Sequence, residues 1–159
     1  MDDELDIIGG AVSFGRRPAN LPANLRPGWR VVFLVLSLAI ASRGRRSSVR
    51  RLHVINWAIK TPQNRTAFNS TLQDASGNVQ ATVLYDPALD KAISLSVYEG
   101  LVSRSTAGTV KLTESGVRLA DTLATTSTTF ADEIAFLKSI RSKLTEPIVD
   151  RILYARIEA

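Results

Sequence analysis

The stretch from Ala88 to Ala120, ALDKAISLSVYEGLVSRSTAGTVKLTESGVRLA, leaves a chain few ways to fold. Asp86-Pro87 reads as a helix start. The carboxylate can accept hydrogen bonds from free first-turn amides, and proline fits the first helical position. Leu89, Ala92, Ile93, Val97 and Leu101 recur at three- and four-residue steps and give the helix one apolar face. Gly100 stands where a left-handed residue ends a helix. Val102 to Arg104 and Thr109 to Leu112 then read as two strands around a Ser105-Thr106-Ala107-Gly108 turn, with Leu101, Val110 and Leu112 to one side and Arg104 and Lys111 to water. Thr113 is placed to cap a second helix through Val117, Leu119, Ala120 and Leu123.

Helix, glycine stop, hairpin and capped helix predict a mainly α chain with a small β-hairpin, an α+β fold. The segments Glu99-Gly100-Leu101-Val102-Ser103-Arg104 and Gly108-Thr109-Val110-Lys111-Leu112-Thr113-Glu114-Ser115-Gly116 resemble the closing half of winged helix-turn-helix domains. That resemblance implies that the hairpin is a wing and that Pro87 to Glu99 is the helix such domains usually place in the DNA major groove. Any other α+β domain with one hairpin is the alternative.

The rest of the chain predicts three regions. Residues 1–26 read as an arm: an acidic start at Asp2, Asp3, Glu4 and Asp6, then Gly9-Gly10, Arg16-Arg17 and a doubled Pro-Ala-Asn-Leu. Residues 27–126 hold the winged-helix domain, and residues 127–159 C-terminal helices that pack on it or on a partner. Helix one is expected from Pro27 to Ser42. Trp29, Val32, Phe33, Leu36 and Ile40 make one stripe, and Val31, Leu34, Val35 and Leu38 fill much of the other side. A helix apolar nearly all round is covered on both faces, here by the C-terminal helices, a second copy or another protein. Helix two is expected from Ser48 to Lys60, a polar helix from Pro62 to Asp74, and a strand or lead-in at Ala81 to Tyr85. Thr129 is expected to cap a helix carrying a near-heptad stripe of Phe130, Ile134, Leu137, Leu144, Ile148 and Ile152, broken near Thr145 because Pro147 cannot lie deep inside a helix. Packing of that stripe on helix one is the favoured reading; a homodimer or partner interface is the other.

Composition narrows the function. The 159 residues include no cysteine, which excludes disulfides, thiolate metal sites and cysteine nucleophiles and fits a cytoplasmic protein. The longest apolar run, Val31 to Ala41, is shorter than the roughly 20 residues a bilayer demands, so no membrane span is expected. Net charge is +5, which suits nucleic acid or an acidic protein surface. Its densest source is Arg43, Arg45, Arg46, Arg50 and Arg51. Arg50 and Arg51 fall in the first turn of helix two, the unfavourable end of the helix dipole. Phosphate neutralisation, an acidic partner or a solvated loop would each account for them. With Arg104 and Lys111 of the wing, these residues form the candidate site for nucleic acid or an acidic partner.

No metal-ligand spacing, phosphate loop or nucleophile elbow occurs. The single histidine, His53, reads as structural rather than catalytic, so the chain is expected to be non-enzymatic, without cofactor or metal. Pro87 to Glu99 offers Lys91 against Asp90 and Glu99, with Asp86 just before. Phosphates repel such a surface, and it has no arginine to read guanine. Two functions stay open. One is an adaptor in a bacterial multi-subunit complex, binding a protein partner and duplex DNA backbone through the arginines. In size and layout the chain is similar to the small middle components of three-component ATPase (Lamassu-like) antiviral defence systems, which implies a place between an SMC-like ATPase and an effector. The other is a DNA-binding transcriptional regulator.

Overall fold

A computed structural model describes residues 26–79, 83–126 and 128–154. Residues 1–25 of the expected 1–26 arm and residues 81–82 of the expected Ala81–Tyr85 strand lie outside the described residues; Val83 to Tyr85 carry no regular structure. The chain runs α1 (Pro27–Leu36), a π turn (Ser37–Ala41), a short 3-10 turn (Arg43–Arg45), β1 (Arg46–Ser48), α2 (Val49–Ile59), α3 (Pro62–Gln73), α4 (Pro87–Tyr98), β2 (Val102–Arg104), β3 (Thr109–Leu112), α5 (Glu114–Thr126), α6 (Ala131–Ile140) and α7 (Glu146–Tyr154). It is mostly helical, with one small antiparallel sheet, and so α+β.

The sheet has three strands in the order β1-β3-β2, where a two-stranded hairpin was expected. β1 pairs with β3 through Arg46↔Lys111, Ser47↔Val110 and Ser48↔Thr109; β2 pairs through Val102↔Leu112, Ser103↔Lys111 and Arg104↔Val110. Part of the arginine cluster is therefore a strand, not a loop.

The caps explain most boundaries. The Ser48 hydroxyl accepts from the Arg51 amide and Thr61 from Asn64. The Asp86 carboxylate accepts from Ala88, with Pro87 in the first turn. Gly100, at φ 71°, closes α4: its amide donates to Val97 and that of Leu101 to Ser96. These are the paired bonds that satisfy a helix's last carbonyls. Thr113 caps α5, accepting from the Gly116 amide. α6 departs from expectation. Phe130, not Thr129, occupies its cap position, and that position has no side-chain cap. Aromatic packing holds this start instead: the Phe130 ring lies 4.6 Å from Trp29 and 6.0 Å from Phe33. We expect Ser48→Ala to lower stability by about 1 kcal/mol, read as a fall in the urea midpoint with unchanged slope.

α1 divides two cores. Phe33, Leu36 and Ala41 pack with α2, Phe68 of α3, and Phe136, Leu137, Ile140, Val149 and Ile152 of α6 and α7. Leu34, Val35 and Leu38 pack with Leu52, with Leu89 and Ile93 of α4, and with the sheet through Val102, Val110 and Leu112. The C-terminal helices cover the second face of α1, so its all-round apolarity is satisfied within the chain and no longer argues for a partner. Each such side chain, fully buried, contributes roughly 1.5–3 kcal/mol.

Candidate functional site

The fold separates the seven expected site residues into three environments. Arg43, Arg45, Arg46 and Lys111 are exposed. Arg46 and Lys111 are direct cross-strand partners, and like charges placed opposite one another weaken a sheet. Arg45 adds a second local cost. At φ 56° it is the one non-glycine residue in the left-handed region among those described, a conformation costing about 1–2 kcal/mol outside glycine. Beside them an open cleft of about 850 Å³ is lined by Ser42, Arg45, Lys111, Glu114, Arg118 and Arg141. Among the described residues none of these cations is in an ion pair. Arg118 and Arg141 were absent from the sequence-based site. Arg118 belongs to α5, which directly follows β3, and Arg141 to the turn after α6, which long-range packing brings to the strands.

Arg51 is a correction. It is 8% exposed, and its guanidinium donates to the Ala41 carbonyl at 2.7 Å, within the chain's own interior. Burial lowers its pKa, opposed by the charge of Glu146. It closes the end of the π turn and is not available to a partner. Arg50, its neighbour, points outward but is occupied: it pairs with Asp150 and stands 5.4 Å over the Tyr154 ring. Arg104 lies on β2 in register with Val110, on the opposite side of the sheet from Lys111. It borders a different cavity.

That second cavity, about 510 Å³, gathers His53, Tyr85, Asp90, Arg50 and Arg104. The structural role expected for His53 is therefore incomplete. Its imidazole is buried against the Tyr85 ring, at 4.6 Å between centroids. The Tyr85 hydroxyl donates to Asp90. Neither Nδ1 nor Nε2 has a hydrogen-bond partner, and each such buried group costs about 1–3 kcal/mol. Burial lowers the His53 pKa, against the opposing charges of Asp90 and Asp86, while Lys60 lowers it further. The ring is thus neutral at pH 7, with one donor and one acceptor. The polar lining of the cavity is one imidazole, one phenol, one carboxyl group and two guanidiniums.

The third surface is α4. Leu95, Val97 and Tyr98 in its last turn are exposed, Tyr98 to 86%, as are Leu84 and Tyr85 before its start. Comparison with protein-family models, curated proteins and solved structures returns no match to this chain. Among the described residues no group of His, Cys, Asp and Glu side chains could hold a metal ion, and no helix is long and apolar enough to cross a membrane.

Proposed function

We propose that this chain is a non-enzymatic winged-helix adaptor that holds a protein partner on α4 within a bacterial multi-subunit complex. The strand order β1-β3-β2, with α2 following β1 and α4 leading into β2, supports the winged-helix reading. In that scheme α3 is an insertion before the groove-reading helix. The observation that carries the function is the exposed face of α4. Tyr98 stands outermost beside Lys91 and Ser94, and Leu95 and Val97 flank it on opposite edges of the helix. Duplex phosphates favour the reverse, a cationic face. Protein interfaces favour an exposed aromatic such as Tyr98 with few charges beside it, and α4 offers one cation, Lys91, on that face.

The cleft bordered by Arg45, Lys111, Arg118 and Arg141 also has apolar wall at Ala39, Leu112 and Val117 and one acid, Glu114, but its four cations are outside any ion pair among the described residues. It suits a polyanion: the backbone of duplex DNA or an acidic segment of the same complex. This cleft also supports the second reading, a DNA-binding regulator. A middle-subunit role in an antiviral ATPase system of the Lamassu type accommodates both surfaces.

The test is co-expression with the proteins encoded beside it, followed by size-exclusion chromatography. A stoichiometric complex is expected with the wild-type chain and at least about 100-fold weaker association with Leu95→Glu/Tyr98→Glu, the size of effect expected at an interface centre. Circular dichroism should be unchanged, because both residues are exposed. A sequence-specific footprint made by the isolated chain, with no such complex, selects the regulator instead.

A further inference from the structure

The adaptor reading makes no use of the His53 cavity, and this inference goes beyond that reading. The imidazole is 6% exposed and its two nitrogens are unpaired. A planar ring already lies against it, since Tyr85 is tilted 33° to the imidazole. Yet Tyr85 itself lies largely in solvent. It is 64% exposed, and its hydroxyl is tied to Asp90 on the surface of α4. At the rim Arg104 is exposed and outside any ion pair among the described residues, whereas Arg50 is neutralised by Asp150. Val49, Val83 and Leu153 supply apolar wall. The volume of about 510 Å³ falls within the roughly 300–1,000 Å³ of small-molecule sites.

We propose that this cavity binds a small phenolic carboxylate in place of the Tyr85 side chain, its ring on His53, its hydroxyl on Asp90 and its carboxylate on Arg104.

The exchange conserves what Tyr85 already makes. One ring stack replaces another, and one phenol–carboxylate hydrogen bond replaces another. It adds a charge-assisted bond to Arg104. The displaced Tyr85 is mostly solvated from the start. Both polar groups of the ligand are needed. Without the hydroxyl, the ligand carboxylate shares the cavity with an Asp90 side chain that has lost its donor. Without the carboxylate, Arg104 gains nothing.

One histidine in the chain makes the test direct, because its Cε1–Hε1 group gives a single NMR signal. The full chain, labelled at histidine, is titrated with 4-hydroxyphenylacetate, phenylacetate and 4-methylphenol. Saturable movement of the His53 signal is expected, with Kd of about 0.1–1 mM for 4-hydroxyphenylacetate and at least about tenfold weaker binding of either analogue. Arg104→Gln is expected to weaken 4-hydroxyphenylacetate about tenfold, and Tyr85→Ala, which removes the competitor, to tighten it several-fold. Both positions are exposed, and circular dichroism verifies that both variants fold. A signal unmoved by about 10 mM ligand in the wild type and in Tyr85→Ala overturns the proposal. So does equal binding of the three compounds, or an Arg104→Gln affinity equal to wild type. None of these outcomes depends on Leu95 and Tyr98, so failure here and failure of the adaptor reading are distinguishable.

Discussion

Gly116→Ala is expected to destabilise the protein by about 2–4 kcal/mol, and Gly116→Val to abolish its cooperative unfolding transition. The sign is the informative part. Glycine within a helix usually costs 0.5–1 kcal/mol relative to alanine, so at an ordinary α5 position the alanine variant would be more stable by about that amount. Here a Cβ would be driven into the carbonyl oxygen of Leu101 and would stand 2.8 Å from Leu112 Cδ2. Neither neighbour can retreat cheaply. The Leu101 amide donates to Ser96 to close α4, and its carbonyl accepts from the Thr113 amide at 3.0 Å. Leu112 is buried and fixed in register with Val102. Relief would require moving β2 and β3 away from α5, which breaks the core shared by Val102, Val110, Leu112 and Ala120. Urea denaturation of Gly116→Ala decides it. A gain of stability would mean that α5 does not approach the start of β2 this closely.

Where a boundary is written in local chemistry, the sequence announced it. Asp86-Pro87, Gly100 and Thr113 sit at helix ends for the capping reasons that suggested them. What depends on distant partners was hidden. β1 is Arg46-Ser47-Ser48, a polar triplet with no alternation of its own; it becomes a strand by pairing with Val110 and its neighbours. The cover on α1 was ambiguous for the same reason. Its two apolar faces were plain, but only the packed chain shows α6 and α7 occupying one of them. The candidate site shows the limit most sharply. Arg50 and Arg51 are adjacent in sequence, yet about 100° of helical rotation separates them. One therefore meets Asp150 in α7 and the other the Ala41 carbonyl. Charge density located a basic region, but accessibility, and with it the entry of Arg118 and Arg141, is a property of tertiary contacts. Likewise, nothing near His53 in sequence foretold the Tyr85 ring or the Arg104 rim.

Asp86→Ala is expected to cost about 3–5 kcal/mol, and Asp86→Asn somewhat less, with a pH dependence that identifies the cause. One carboxylate joins three helices. Its Oδ2 accepts from Arg30 Nη1 of α1 at 2.6 Å, from Lys60 Nζ after α2 at 2.5 Å, and from Asn56 Nδ2 of α2 at 3.3 Å. Its Oδ1 accepts from the Ala88 amide and starts α4. Removing it leaves two part-buried cations without their anion, and the alanine variant also loses the cap, a further contribution of about 1 kcal/mol. Asparagine can still accept the capping bond, so it isolates the charge. Burial alone would raise the Asp86 pKa, but the hydrogen bonds from Lys60, Arg30 and Ala88 outweigh it and hold the carboxyl well below the usual range. The unfolded chain therefore takes up a proton at a higher pH than the folded one. The stabilisation is fully present above the ordinary aspartate value of about 3.9 and is lost as pH falls below it. Asp74 is also lowered, by hydrogen bonds from the Ser76 hydroxyl and amide, and adds its own acid dependence. That contribution cancels in the difference between wild type and Asp86→Asn. Urea midpoints measured from pH 7 to about pH 2.5 should show a constant gap down to about pH 4.5 that then closes. A gap that stays constant across the whole range would mean that Asp86 acts through its shape and its cap, with its charge contributing nothing to the joint between α1, α2 and α4.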